Sequence, residues 1–253
     1  MDFRANIESL TPAEVAAYAQ AMTAAQAISD NRGYNHFAQL HGWPIFDCQH
    51  NNPLFLPWHR GYLYMFELSL REVGGPVRLP WWDWTSATSQ ATGVPAAFSA
   101  QASLASASMP LDPQTLQQVR QSAPYAVDET SGAPRTVRHP RAPSGLPTAA
   151  EVADVLAAPT FQDFSHRLEL IHNAVHGWFA GTMAIVPLAA FDPIFWSHHT
   201  MIDRLWYLWQ MQHPTAVLPP GLTSQALQGF PLTVQQMLDV TSLGYDYAAQ
   251  VTQ

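Results

Sequence analysis

The chain has 253 residues, long for one domain and short for two, so it reads as a single domain over residues 1–253 with room for a sizeable core. Charged residues are only 12% of it, while nine Trp, eight Tyr and twelve Phe predict a large, rigid aromatic interior. A net charge of -8, with no basic stretch interleaved with aromatics, argues against nucleic acid or an anionic membrane as partner and leaves small molecules.

The N-terminus lacks a basic region followed by an apolar stretch, and no run reaches the roughly eighteen apolar residues of a membrane span. The expectation is therefore a soluble, cytoplasmic-type chain with no signal peptide. A single cysteine, Cys48, excludes an intramolecular disulfide.

In chain order, Thr11-Pro12-Ala13-Glu14 is a capping signal that opens a helix over 11–30, ending near Gly33. His36 and His41 follow, with Gly42 and Pro44 marking a turn just beyond His41, and Cys48-Gln49-His50 falls in a short polar loop. A second helix starts near Pro57, carries His59 in its first turn and stops at Gly74-Gly75-Pro76. His41, His50 and His59 are spaced nine apart, two expected in loops and the third on the helix, which makes a three-imidazole site available.

After Trp81-Trp82-Asp83-Trp84 periodicity is lost over 86–147. This span should be an ordered, non-helical wrap with one short helix near 113–120. Helices are expected again over 148–156, 161–179 and 193–212, with one more in the tail over 234–240. His172 and His176 stand four apart in an apolar run, so on a helix both imidazoles leave one face about a turn apart. His199, on the following helix, can add a third ligand, and helix geometry alone allows His198 equally, since neighbours point about 100° apart. Imidazole suits copper, zinc, iron or nickel, so the residues alone define two metal sites without naming the metal.

Taken together, His41-Gly42-Trp43-Pro44, Cys48-Gln49-His50, Phe55-Leu56-Pro57-Trp58-His59-Arg60, Leu79-Pro80-Trp81-Trp82-Asp83-Trp84, Leu168-Glu169-Leu170-Ile171-His172-Asn173-Ala174-Val175-His176-Gly177-Trp178 and Phe191-Asp192-Pro193-Ile194-Phe195-Trp196-Ser197-His198-His199 resemble the tyrosinase and polyphenol oxidase group of type 3 copper proteins. The motifs cover most of the chain and are specific in combination. The resemblance implies a mainly α fold, a four-helix bundle holding a dinuclear copper centre, with long irregular loops.

It also implies two copper ions, one held by His41, His50 and His59 and the other by His172, His176 and His199. His41 takes precedence over His36, and His198 is left beside the substrate. Cys48 matches the cysteine that some relatives join to the neighbouring ligand histidine, here His50, through a thioether. Glu169 and Asn173 match the pair proposed to hold a water that deprotonates monophenols, and Val186 matches the gate above the metals. Tyr245-Asp246-Tyr247 and Arg4 resemble the tyrosine motif and its arginine partner. Asp203 and Arg204 are expected to pair with each other or to support the metal site.

The function implied is an oxidase that uses O2 to hydroxylate monophenols and to oxidise o-diphenols to o-quinones. The alternative is a catechol or o-aminophenol oxidase without monophenol activity. Expected partners are O2, small phenols and a copper-delivery protein. Many relatives continue into a shielding C-terminal domain, whereas this chain stops six residues after Tyr247, so an open site is expected. An oxygen carrier of the hemocyanin kind uses the same centre but would need a blocked entrance. A di-iron bundle needs a second Glu-x-x-His besides Glu169 and His172, and a metalloprotease-like zinc site needs Glu where Asn173 stands.

Overall fold

The computed structural model describes residues 2–127 and 131–248. Eleven α-helices and one two-stranded sheet make it mainly α, as expected. Helix α1 (Pro12–Ala27) begins at the anticipated capping box, in which the Thr11 N–H donates to Glu14 Oε2 at 2.8 Å and the Glu14 N–H donates to Thr11 Oγ1 at 3.3 Å.

Helix α2 (Tyr34–His41) corrects the sequence reading, which put His41 in a loop: His41 is the last helical residue. Its eight residues are too few for a clear periodic signal. The helix persists because Tyr34, Phe37, Ala38, Leu40 and His41 are buried against the core, packing that outweighs weak propensity. Helix α3 (Phe55–Gly74) follows an Asn52 turn whose Oδ1 accepts the Leu54 N–H at 2.8 Å.

The span 86–147 is also more helical than expected. It contains α4 (Ala87–Thr92), α5 (Ala97–Ala100), α6 (Ala102–Ala105) and α7 (Pro113–Ser122), of which only α7 was anticipated. The extra helices are one or two turns long and are secured by tertiary bonds that no local pattern reveals. Trp82 Nε1 donates to Ser89 Oγ at 2.8 Å. The Arg138 guanidinium donates to the carbonyls of Phe98 and Leu104 at 3.0 and 2.7 Å and grips the buried Asp192 carboxylate.

Helices α8 (Ala149–Leu156), α9 (Phe161–Phe179), α10 (Val186–Ala189) and α11 (Ile194–Gln212) complete the set, while the tail helix expected over 234–240 is a short 3-10 turn, Val234–Met237. No helix among the described residues is long and apolar enough to cross a membrane.

Helices α2, α3, α9 and α11 form the central bundle. Phe66 of α3 stacks on Trp196 of α11 at 3.8 Å between centroids, Tyr62 lies 4.9 Å from the same indole, and the Tyr62 hydroxyl donates to the Phe37 carbonyl of α2 at 2.7 Å. Phe55 of α3 meets His172 of α9 edge-on at 5.1 Å. Each such buried aromatic stabilises the fold by about 1.5–3 kcal/mol, so the helices bearing the histidines are held by apolar contact before any metal binds.

Strand β1 (Asp2–Arg4) pairs in parallel with β2 (Tyr245–Tyr247) and closes a buried polar knot between α3 and α11. Arg4 donates to Glu67 Oε2 at 2.9 Å and to Asp203 Oδ2 at 3.1 Å, with its guanidinium 3.7 Å from the Tyr245 ring centroid. Asp203 also accepts from Arg60 Nε at 2.5 Å, from the Tyr245 hydroxyl at 2.8 Å and from the Tyr247 hydroxyl. Burial pushes the Asp203 carboxyl up, but Arg60 and Arg4 more than offset this and hold it below the usual carboxylate range.

The contact expected between Arg4 and the tyrosine motif is present. The expected Asp203–Arg204 pair is not: neighbours on a helix point about 100° apart, and Arg204 lies over the Trp81 ring at 4.1 Å instead. Asp203→Ala leaves Arg4 and Arg60 buried without their shared carboxylate. A loss of about 3–5 kcal/mol in urea unfolding is expected, whereas Asp30→Ala, at the exposed Arg32–Asp30 pair, should leave the urea midpoint nearly unchanged.

Candidate metal centre

Five segments bring seven histidines to the middle of the bundle. His41 ends α2, His50 lies in the following loop, His59 is on α3, His172 and His176 are on α9, and His198 and His199 are on α11. They fall into two groups able to hold metal ions, His41, His50 and His59 in one and His172, His176, His198 and His199 in the other. His36, five residues before His41, belongs to neither.

The groups face each other. His59 stacks on His199 at 4.6 Å between ring centroids, and His50 on His172 at 5.8 Å. Phe195 closes the floor, 4.0 Å from His199 and 4.7 Å from His41.

Hydrogen bonds at Nδ1 set which nitrogen of three of the rings faces inward. His59 Nδ1 donates to the Phe55 carbonyl at 2.7 Å, one turn earlier on α3, and His176 Nδ1 to the Met183 carbonyl at 2.7 Å. His172 Nδ1 donates to Asn173 Oδ1 at 2.9 Å. With the proton on Nδ1, each ring presents an Nε2 lone pair to the interior.

Those lone pairs find no donor. His41 Nε2 and His59 Nε2 are buried without a hydrogen-bond partner, and the Nε2 atoms of His172, His176 and His199 meet only one another, at 3.0, 3.1 and 3.4 Å. Donors about 2.0–2.1 Å from a tetrahedral ion stand about 3.3 Å apart, so this triangle has the size a metal requires. The geometry that sequence left open between His198 and His199 favours His199, since it is the His199 Nε2 that completes the triangle. His198 stacks on His172 at 5.3 Å.

Burial also keeps the rings neutral, as a metal ligand must be. It pushes His50 and His176 down to about 4 and holds His41, His59, His172, His198 and His199 well below the ordinary imidazole value, with neighbouring histidines adding to the effect.

A cavity of ≈ 350 Å³ opens onto this surface, lined by His41, His50, His172 and His176 and by Asn51, Glu169, Asn173 and Val186. Val186, at the start of α10, is 44% exposed at its mouth. Gly42 lets α2 end there, because a Cβ at this position would lie 2.0 Å from the Pro187 carbonyl.

Glu169 is only 5% exposed, and its Oε1 accepts the Asn51 N–H at 2.7 Å. Burial raises its carboxyl above the ordinary value, while the Asn51 bond and His166 pull the other way. Glu169 therefore ties α9 to the His50 loop, and it is Asn173, not Glu169, that bonds His172. Burial pushes the Cys48 thiol up to about 12, so Cys48 is a protonated, half-buried thiol two residues from His50.

Asn51, Met183 and Phe195 had no signal in the sequence. Their contacts are made through backbone atoms or ring faces, which residue type does not announce, and that of Asn51 with Glu169 spans 118 residues.

A family model for the common central domain of tyrosinase matches residues 31–212, and the chain belongs to the tyrosinase family of type 3 copper proteins. It is 32% identical to a tyrosinase of Streptomyces antibioticus over 204 residues, 68% of this chain and 68% of that protein. It is 27% identical to hemocyanin units G and H of Sepia officinalis over 230 residues, 85% of this chain but only 39% of that protein. A functional unit of octopus hemocyanin superposes with a TM-score of 0.81 at 26% identity, covering 98% of this chain and 68% of that one. The family uses a dinuclear copper centre, and the two imidazole groups fit one.

Neutral buried imidazoles bind no proton in the fold but do when unfolded, so the metal-free protein takes up protons on unfolding between about pH 6.5 and pH 4. Its stability is expected to be full above pH 6.5 and to fall as pH drops toward 4. Urea midpoints measured across that range test this, and a flat profile would contradict it.

Proposed function

We propose that this chain is a single-domain phenol oxidase. His41, His50 and His59 hold one copper, and His172, His176 and His199 hold the other. The observation that carries the reading is the pair of inward-facing Nε2 groups beneath a cavity whose wall is a buried carboxylate with a raised pKa. When bound, the copper pair supplies the electron transfer to O2 and the positive charge that attracts a phenolate. In the net reaction two o-diphenols lose four electrons and four protons to one O2, giving two o-quinones and two waters. Oxygen insertion into a monophenol is the added activity.

The protein contributes position and proton handling. The carbonyls of Phe55 and Met183 and the amide of Asn173 fix three rings, so the ligand set is preorganised. A phenol with a pKa near 10 must give up its proton at neutral pH, and the Glu169 carboxylate, raised by burial and held in place by Asn51, is the base facing the cavity. Asn173, on the next turn of α9, lies beside it to hold a bridging water. Val186 stands exposed at the mouth, and His198, expected beside the substrate, is instead buried against His172 outside the cavity lining.

A second reading, reversible O2 carriage, draws support from the hemocyanin similarity. The open cavity at Val186 and the carboxylate inside it favour turnover.

Copper-loaded protein given a monophenol and catechol under air is expected to oxidise both. Oxidation of catechol alone would reduce the assignment to a catechol oxidase, and inertness toward both would favour carriage. Glu169→Gln is expected to slow monophenol hydroxylation by about 10²-fold or more while sparing catechol, the size of a lost general base. His176→Ala should lose one of two copper equivalents by elemental analysis, and full retention would show the ligand set to be wrong.

A further inference from the structure

A second cavity, of ≈ 340 Å³, adjoins the one above the histidines and shares two wall residues with it, Asn51 and Glu169. Its floor is Phe161, Ser165 and Glu169, all buried, and its rim is Asn51, Pro53, Gln162 and His166, all exposed. Gln162, His166 and Glu169 follow at steps of four and three along α9, so one helix face runs from the outer rim to the metal-facing cavity. Small-molecule sites occupy about 300–1,000 Å³, so each cavity alone is at the lower end and the joined pair lies well within the range.

The lining of the second cavity states what it would take. Exposed Pro53 and the buried Phe161 beneath make its apolar part, and the amides of Asn52 and Gln162, the Ser165 hydroxyl and the His166 ring place hydrogen-bonding groups around it. The sole carboxylate, Glu169, already has one oxygen committed to the Asn51 N–H. An apolar face edged by hydrogen-bond donors and acceptors suits a hydroxylated aromatic ring better than an aliphatic tail.

We infer that this cavity is a substrate subsite that receives the second hydroxylated ring of an extended polyphenol while its first ring occupies the cavity above the histidines. The inference rests on the phenol-oxidising reading for its biological meaning, and the binding itself can be measured without it. Asn51 and Glu169 form the ridge between the rings. Gln162 and His166 are specificity-determining positions, remote from the reacting atoms.

The test compares catechol with catechin, which carries a catechol ring and a second hydroxylated ring, on wild type, Gln162→Trp and His166→Trp. Both substitutions are at exposed helix positions, and both would fill the second cavity from its rim. With copper-loaded protein, KM for catechin is expected to rise about tenfold in the Trp variants while kcat/KM for catechol stays within about twofold, a difference near 1.4 kcal/mol. With copper-free protein, catechin binding followed by ligand-observed NMR should weaken by a similar factor.

If catechol and catechin respond alike, or if catechin binds copper-free wild type and both variants equally, the subsite is wrong. If neither compound is oxidised yet catechin binding still depends on residues 162 and 166, the subsite stands and the oxidase reading fails.

Discussion

The structure depends on one unmet demand, a set of buried imidazole nitrogens with lone pairs turned inward and no donor to receive them. A buried polar atom without a partner costs about 1–3 kcal/mol, and several are gathered in one place here. Protonation would satisfy them only by placing positive charges within a few ångströms of one another in a low-dielectric interior. A pair of cations resolves the same demand in one step, which is why the protein can afford to bury so many rings together. The chemistry of the site therefore follows from its packing. The bundle forces the nitrogens to converge, and the backbone carbonyls at Phe55 and Met183 dictate which nitrogen converges.

Rigidity is supplied from the turns next to the histidines. Asp203 stands one turn beyond His199 on α11, and Arg60 directly follows His59 on α3, so the Arg60–Asp203 bond cross-links the two helices that carry the stacked pair. Arg4, Tyr245 and Tyr247 join that bond from the first and last strands. The termini are thus part of the support of the central site. Above the site, Gly181 allows the segment carrying Met183 to press against Val137, whose carbonyl would lie 2.1 Å from any Cβ there. Through that contact the long wrap over 86–147 helps hold the His176 ring.

Tyrosinases and hemocyanins both share this scaffold with the chain, and the helices and histidines alone do not separate catalysis from carriage. What bears on the distinction is access and proton handling. Here a cavity reaches the histidines past an exposed valine, its wall holds a buried carboxylate, and a second cavity of similar volume continues beyond that carboxylate. Glu169 faces both spaces, so the proposed base and the proposed subsite meet on a single turn of α9.

Much of this was legible in the linear chain because the signals are local. The Thr11 capping box, the prolines that open α3 and α11, and the four-residue spacing of His172 and His176 each state a geometry within one or two turns, and those helices formed where expected. Helices α2, α4, α5 and α6 were missed because one or two turns give little period to read, and packing on the core stabilises them. The sequence alone determined that the protein is mainly helical and aromatic and that its histidines come in metal-binding sets. Tertiary structure decided that His41 sits on a helix end, that Asp203 bonds Arg4 and Arg60 and leaves Arg204 to Trp81, that His199 completes the nitrogen triangle, and that Glu169 meets Asn51. Each of those outcomes depends on distances between segments far apart in the chain, which side-chain spacing along a helix does not encode.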